Sequence, residues 1–173
     1  MKARSKSGTS IIEVPFSIWL ILTMVLMPML AMGTVTLRAS LMNAVVQDGA
    51  HAASKAKTFE AGTAEKPSAV TLAQQTINEM VAKFPGLTID KVDTDILITN
   101  VETGTKTRSE EKLSAPADSS KFIYQIETVA TGKIDPVFSF NSDLFGTIPG
   151  LNAPIVVAYV AREMAENPQG LDK

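Results

Sequence analysis

The chain has 173 residues, with 16 Lys and Arg against 18 Asp and Glu, a formal net charge of -2 and 45% hydrophobic residues. That length admits one ordinary domain, or an anchor plus a domain of about 100 residues, and the charge leaves no basic excess of the kind that binds nucleic acid. The absence of cysteine excludes thiol catalysis, disulfides, cysteine-based zinc sites and cysteine lipidation, so the folded part is held by its core alone.

The chain opens on a short basic leader, Lys2, Arg4 and Lys6, with no acidic residue among them. From Val14 to Leu37 there follow 24 consecutive residues without a charged side chain. A helix of that length reaches about 36 Å, enough for a hydrocarbon core of about 30 Å with some tilt. Trp19 lies near one end, where an interfacial indole is common. Pro15 and Pro28 interrupt the run, and a kink is predicted at Pro28. The cations ahead of the span place the N-terminus in the cytoplasm and the remainder outside the membrane. A cleaved secretory signal is the competing reading, with Ala31-Met32-Gly33 as its small-x-small site. Against it stand a run longer than the usual h-region of about 7–15 residues and the carboxylate of Glu13 at its entrance.

The informative constellation is Gly8-Thr9-Ser10-Ile11-Ile12-Glu13, between the basic leader and the apolar run. A glycine lets the backbone enter a peptidase cleft in an extended form. A carboxylate at Glu13 costs about 2.5–3.5 kcal/mol at the centre of a membrane helix and less near its end, unless a cation meets it. The alternative for Glu13 is a side chain snorkelling to the headgroups. These residues resemble the prepilin signature of type IV pilus-like proteins. The resemblance implies cleavage after Gly8 by a membrane aspartyl prepilin peptidase, leaving Thr9 first and Glu13 fifth. It also implies that Glu13 pairs with a terminal amine, its own or a neighbouring subunit's, and so fixes assembly register more than stability. Gly8 to Phe59 is similar to the TadE-like minor pseudopilins of tight-adherence (Flp) pilus systems. Those proteins carry a proline-punctuated apolar run and then a small-residue helix, here Leu41 to Ala56 with Gly49-Ala50-His51-Ala52-Ala53. Val14 departs from the pattern, in which an aromatic residue follows the glutamate.

Beyond Arg38 the helix is expected to continue to about Phe59. Ala39, Ala44, Ala50 and Ala53 would let another helix approach closely, either in other subunits or in the protein's own head. Glu60 to Pro67 reads as a linker. Ser68 or Thr71 can cap a following helix whose apolar positions Val70, Ala73, Ile77, Met80 and Phe84 form one stripe, ended by Pro85-Gly86. Leu87 to Val92 and Asp95 to Thr103 form two strands around Asp93-Thr94 or one bulged strand. Gly104 to Ser120 reads as a long exposed loop. Phe122 to Val129 alternates as a strand. Ile134 to Pro149, with Phe138, Phe140 and Phe145, suggests a short helix or ordered loop over the core's edge. The Val-Val-Ala-Tyr-Val run in Ile155 to Met164 favours a strand.

No catalytic constellation emerges. His51, the only histidine, lies on the stem, remote from any head serine, and reads as a surface or packing residue. Asp90, Asp93 and Asp95 lack the glycine and distal glutamate of a calcium loop and read as solvated hairpin carboxylates. No nucleophile elbow, Walker or dinucleotide pattern is present, and no bound cofactor is implied. The expectation is an α+β protein and not an enzyme. Its parts are a leader (1–8), a transmembrane helix (9–37), a helical stem (38–59), a linker (60–67), an extracytoplasmic head of one amphipathic helix on an antiparallel sheet (68–168) and a tail (169–173). The resemblance implies a minor pilin-like structural subunit of the bacterial inner membrane, with the prepilin peptidase, other pilin or pseudopilin subunits and the assembly platform as partners. The rival readings are an unprocessed, signal-anchored periplasmic binding or sensing module and a membrane-tethered hydrolase.

Overall fold

A computed structural model describes the backbone of residues 9–63, 66–137 and 146–173, with side chains from Glu13 onward within those ranges. The fold is α+β: a long N-terminal helix runs into a small head of one further helix and a four-stranded antiparallel sheet. The helix has two α-helical parts, α1 (Thr9–Ile21) and α2 (Met27–Ser54), joined by a π-helical turn at Leu22–Leu26. Pro28 has no N–H to offer the Met24 carbonyl, and the local rearrangement takes the form of this π turn just upstream, where single turns of that type commonly occur.

The helix stops at Ser54, short of the stem end expected at Phe59. Nothing in the composition of Lys55 to Thr58 forbids helix; the chain turns because Phe59 is wholly buried in the head and is held by the far end of the sequence. The carbonyl of Lys173 accepts the N–H groups of Phe59, Glu60 and Ala61 at 3.0, 3.2 and 3.5 Å. Residues 169–173 are therefore part of the head and not a free tail. Gly170, in a short 3-10 turn (Pro168–Gly170), lies so close to the Lys57 carbonyl that a Cβ would stand 1.8 Å from its oxygen.

Helix α3 (Ala69–Val81) is capped by Ser68, whose hydroxyl accepts the Thr71 N–H at 3.3 Å. It buries Ala69, Ala73, Ile77 and Val81, a face close to the predicted stripe, with Val70 and Met80 at its margins. Gly86, at φ +83°, makes the turn into the sheet, a backbone conformation that glycine alone adopts without penalty.

The strand order is β2-β1-β3-β4, with every pair antiparallel. Leu87 to Asn100 forms one bulged strand, β1, and the register slips between Ile89 and Lys91 instead of at Asp93-Thr94. The long exposed loop expected over Gly104 to Ser120 holds a short strand, β2 (Lys106–Ser109), paired to Ile96–Thr99. Its second half is tied down: Ala117 is buried, and Leu113 N–H donates to the Leu171 carbonyl at 2.7 Å. Strand β4 (Ile155–Met164) falls where β-branching predicted it, and β3 (Phe122–Ile134) begins as its alternation predicted but runs five residues past Val129, to Ile134.

One face of the sheet rests on α2 and α3. Towards the apolar end of α2, Met42, Val45, Val46 and Ala50 pack with Ile77, Leu87, Ala130 and Ile134. At the opposite end, Ala53 and Phe59 pack with Ala73, Ile96, Tyr124, Ile126 and Leu171. The stem's small residues thus serve the protein's own head at Ala50 and Ala53, while Ala44 is exposed. Gly132 in β3 admits the close approach of β1 and α2, since a Cβ there would stand 2.1 Å from the Thr88 carbonyl oxygen and 2.8 Å from Met42 Cε. The predicted ordered cover at Phe138, Phe140 and Phe145 lies outside the described residues.

Candidate functional site

Two arrangements stand out: the exposed half of the long helix with its junction to the head, and an ionic cluster on the outer face of the sheet.

Gly8 lies outside the described residues, and Thr9 begins α1. Four residues on, Glu13 is exposed near the start of the helix, and among the described residues no cation stands within ion-pair distance of it. Positions 9 and 13 are one turn apart on one face. From Glu13 the continuous helix is long and apolar enough to cross a membrane. Val14, Phe16, Trp19, Met24, Met29, Met32 and Leu37 are each more than half exposed, so apolar side chains face outward all round it. The Phe16 and Trp19 rings stack with centroids 6.2 Å apart. The three threonine hydroxyls on this half are satisfied internally: Thr23 donates to the Trp19 carbonyl at 2.8 Å, Thr34 to Ala31 at 2.7 Å and Thr36 to Met32 at 2.9 Å. Such back-bonding removes the penalty of carrying a hydroxyl into hydrocarbon. Pro15 lies within α1, and Pro28 is the second residue of α2.

The first charged residue after this half, Arg38, is bound to the head. Its guanidinium donates to the Asp135 carbonyl and lies against Gly86, where a Cβ would stand 2.5 Å from its Cζ. Asp135 N–H in turn donates to the Gly86 carbonyl at 2.9 Å. The helix, the α3–β1 turn and the end of β3 thus meet at one point. Neither the arginine's partner nor the glycine's second role is visible in a linear pattern, because the residues are far apart in sequence.

On the outer face of the sheet, Asp95 and Glu127 are directly opposed across β1 and β3, and Arg162 of β4 stands opposite Glu127. Glu127 is fully buried; Arg108 reaches it from β2, and Arg162 Nε donates to it at 2.5 Å. Arg108 also lies 3.5 Å from Asp95. Like charges directly opposed across a ladder destabilise it, and the two guanidinium groups offset that repulsion. Burial pushes the Asp95 carboxyl above the ordinary carboxylate range, with Arg108 opposing the shift. Of the three aspartates only Asp95 departs from the solvated reading, since the Asp90 and Asp93 side chains are each 44% exposed. All three lie within β1: Asp90 pairs with Lys133 at 3.2 Å, Asp93 with Lys91 at 2.7 Å, and Asp95 is buried. Glu127 was missed because its alternation marks an outward-facing position, and β2, which supplies Arg108, is a short polar segment.

Beside this cluster an open groove runs along β1 below the end of β2, lined by Val70, Lys91, Asp93, Asp95, Arg108 and Glu110. Among the described residues the β1 edge here has no strand partner beyond Ile96, and its charges discourage pairing with a further strand. Nothing in the groove pairs a nucleophile with a base. His51 is exposed on α2, and its element packs against the opposite face of the sheet. Among the described residues no group of three His, Cys, Asp or Glu side chains is placed to hold a metal ion. Comparison with family models, with curated proteins and with solved structures finds no match.

Proposed function

We propose that this chain is a minor pilin-like structural subunit, a pseudopilin of a tight-adherence (Flp) pilus or a related secretion system. It inserts as a single-pass protein of the inner membrane with its head outside the cytoplasm. A prepilin peptidase cuts it after Gly8, and the helix joins other pilin or pseudopilin subunits on the assembly platform. The observation that carries this reading is the pairing of the Gly8…Glu13 constellation with a helix that serves two surroundings. The half nearest Glu13 presents apolar side chains outward, whereas the half beyond Arg38 is the spine of the head. Cleavage after Gly8 would free an amine on Thr9, one helical turn before Glu13, within reach of that carboxylate or of a neighbour's. The role is structural, in priming, capping or joining a filament, and uses no cofactor.

Co-expression with a prepilin peptidase tests the reading. Intact-mass analysis is expected to show loss of residues 1–8 from the wild-type chain and no loss from Gly8→Ala. An uncut wild-type chain would overturn the reading and leave the signal-anchored module. Glu13→Ala is expected to insert and to be cut, yet not to co-purify with other pilus subunits; normal co-purification removes the assembly role of Glu13.

A further inference from the structure

We propose that the turn Gly146–Ala153, together with Val137 at the other end of the same connection, is a second membrane contact. It seats in the interfacial layer of the leaflet facing the head. The proposal rests on the helix being a membrane span, and its test separates the two.

Position comes first. A hydrocarbon core of about 30 Å takes about 20 helical residues, so a span that enters at Val14 leaves hydrocarbon near Gly33. Val35 then lies at headgroup depth. Gly150, at φ +82°, backs onto this residue: a Cβ there would stand 3.9 Å from Val35 Cγ1. Arg38 fixes the start of the connection at the same level through the Asp135 carbonyl. The turn is thus held against the helix at the level of Val35, within the last apolar turns that also carry Met32 and Leu37, 67% and 62% exposed.

The chemistry of the turn suits that depth. Gly146-Thr147-Ile148-Pro149-Gly150-Leu151-Asn152-Ala153 carries no charge, and Ile148 and Val137 are 40% and 44% exposed. Peptide groups are costly to bring among lipid unless they are paired, and here the turn pairs several of its own. Ile148 N–H donates to Asn152 Oδ1 at 2.6 Å, and Asn152 Nδ2 donates to the Gly146 carbonyl at 2.6 Å. The Ile148 carbonyl accepts from Leu151 and Asn152 at 3.1 and 3.0 Å, and Gly150 N–H donates to Ala153 at 2.7 Å. Pro149 has no N–H to satisfy. At the opposite end of the head, the Asn100–Thr105 turn spends its polar side chains on exposed loop bonds beside Glu102. That is the ordinary chemistry of a turn in water.

The cysteine-free chain permits clean single-site labelling. Nitroxides introduced through Met24→Cys, Ile148→Cys and Val101→Cys in the full chain, reconstituted in phosphatidylethanolamine–phosphatidylglycerol vesicles, are compared for collision with oxygen and with a water-soluble nickel chelate. The expected result is a label at 148 that is severalfold less accessible to nickel than the label at 101, approaching the label at 24. Equal nickel access at 148 and 101, with 24 protected, overturns the membrane contact and leaves the span intact. Nickel access at 24 as high as at 101 removes the span and the contact with it. Ile148→Trp in a Trp19→Phe background, read by quenching with brominated lipid, repeats the test without a label. Its single indole is expected to be quenched, and an unquenched indole counts as the same refutation.

Discussion

Met24, Met29 and Met32 are 63%, 66% and 67% exposed, whereas Met42, farther along the same continuous helix, is wholly buried. The side chain is the same and so is the secondary structure; what differs is the pattern around it. From Val14 to Leu37 the helix is uncharged and carries apolar residues on all sides, so burying Ala31 and packing Val35 on the head still leaves most of its apolar surface outward. Beyond Arg38, polar and small residues alternate with Met42, Val45, Val46, Ala50 and Ala53, and these form one face that α3 and the sheet cover. Apolar content without periodicity calls for an apolar surrounding, while apolar content with periodicity calls for a partner.

The sharpest way to break this contrast is to shorten the two kinds of methionine. Met42→Ala is expected to lower the unfolding free energy of the head by about 2–5 kcal/mol, the usual range for a large-to-small change in a core. Met24→Ala and Met32→Ala are expected to leave it within about 0.5 kcal/mol. Denaturant titration of the full chain in detergent micelles measures all three. Equal losses would mean that the lower half is packed within its own chain.

Glycines give a second, smaller contrast on the same helix. At Gly33 a Cβ meets nothing within 4 Å, whereas at Gly49 it would stand 2.5 Å from Ile77 Cγ1. Gly33→Ala is expected to be neutral or to stabilise by up to about 1 kcal/mol through helix propensity. Gly49→Ala is expected to cost about 1–3 kcal/mol by forcing α2 and α3 apart. The difference between the two melting shifts is the measurement, and a stabilising Gly49→Ala would contradict the helix packing described.

The smallest expected effect is a pH dependence located in the sheet. The Asp95 carboxyl is raised on folding, chiefly by burial. Its contribution to stability is therefore full below the unfolded value of about 3.9 and is lost as pH rises through the folded value. Asp118 is held below the ordinary range, first by the Ser120 hydroxyl and then by the Ser120 N–H. Its contribution is present above the unfolded value and is lost as pH falls through the folded one. Asp95→Asn should remove the decline of stability on the alkaline side of that unfolded value, and Asp118→Asn should flatten the acid limb. Unfolding midpoints against pH for the two variants check both signs.

Where the sequence was legible, a period made it so. The 24 uncharged residues, the stripe of α3 and the alternation of β3 are strong repeating signals, and the structure follows each. The rest depended on contacts between distant segments. Lys106–Ser109 is too short and too polar to announce a strand, and it pairs only because β1 offers an edge. The helix ends at Ser54 because Phe59 and the Lys173 carbonyl hold the chain that follows, not because Lys55 to Thr58 resist helix. Asp95 reads as a solvent-facing carboxylate and Glu127 carries no signal of its own, yet both are buried, with Arg108 and Arg162 reaching over them from the flanking strands. At the candidate site, the Gly8…Glu13 spacing and the apolar run are visible in one dimension. The Arg38–Asp135 junction and the Gly150–Val35 approach are not, since neither has a local signature.

From Met27 to Ser54 the helix has no break, and Arg38 bolts it to the end of β3. A rod of 28 residues without a joint is a drive shaft: axial displacement or rotation of its lower end is delivered to the head with little loss. Below Met27 the regular hydrogen-bonding pattern is interrupted at the five-residue π turn and at Pro15 within α1. A force applied near Glu13 therefore passes those two interruptions first and then the unbroken length of α2 before it reaches the head.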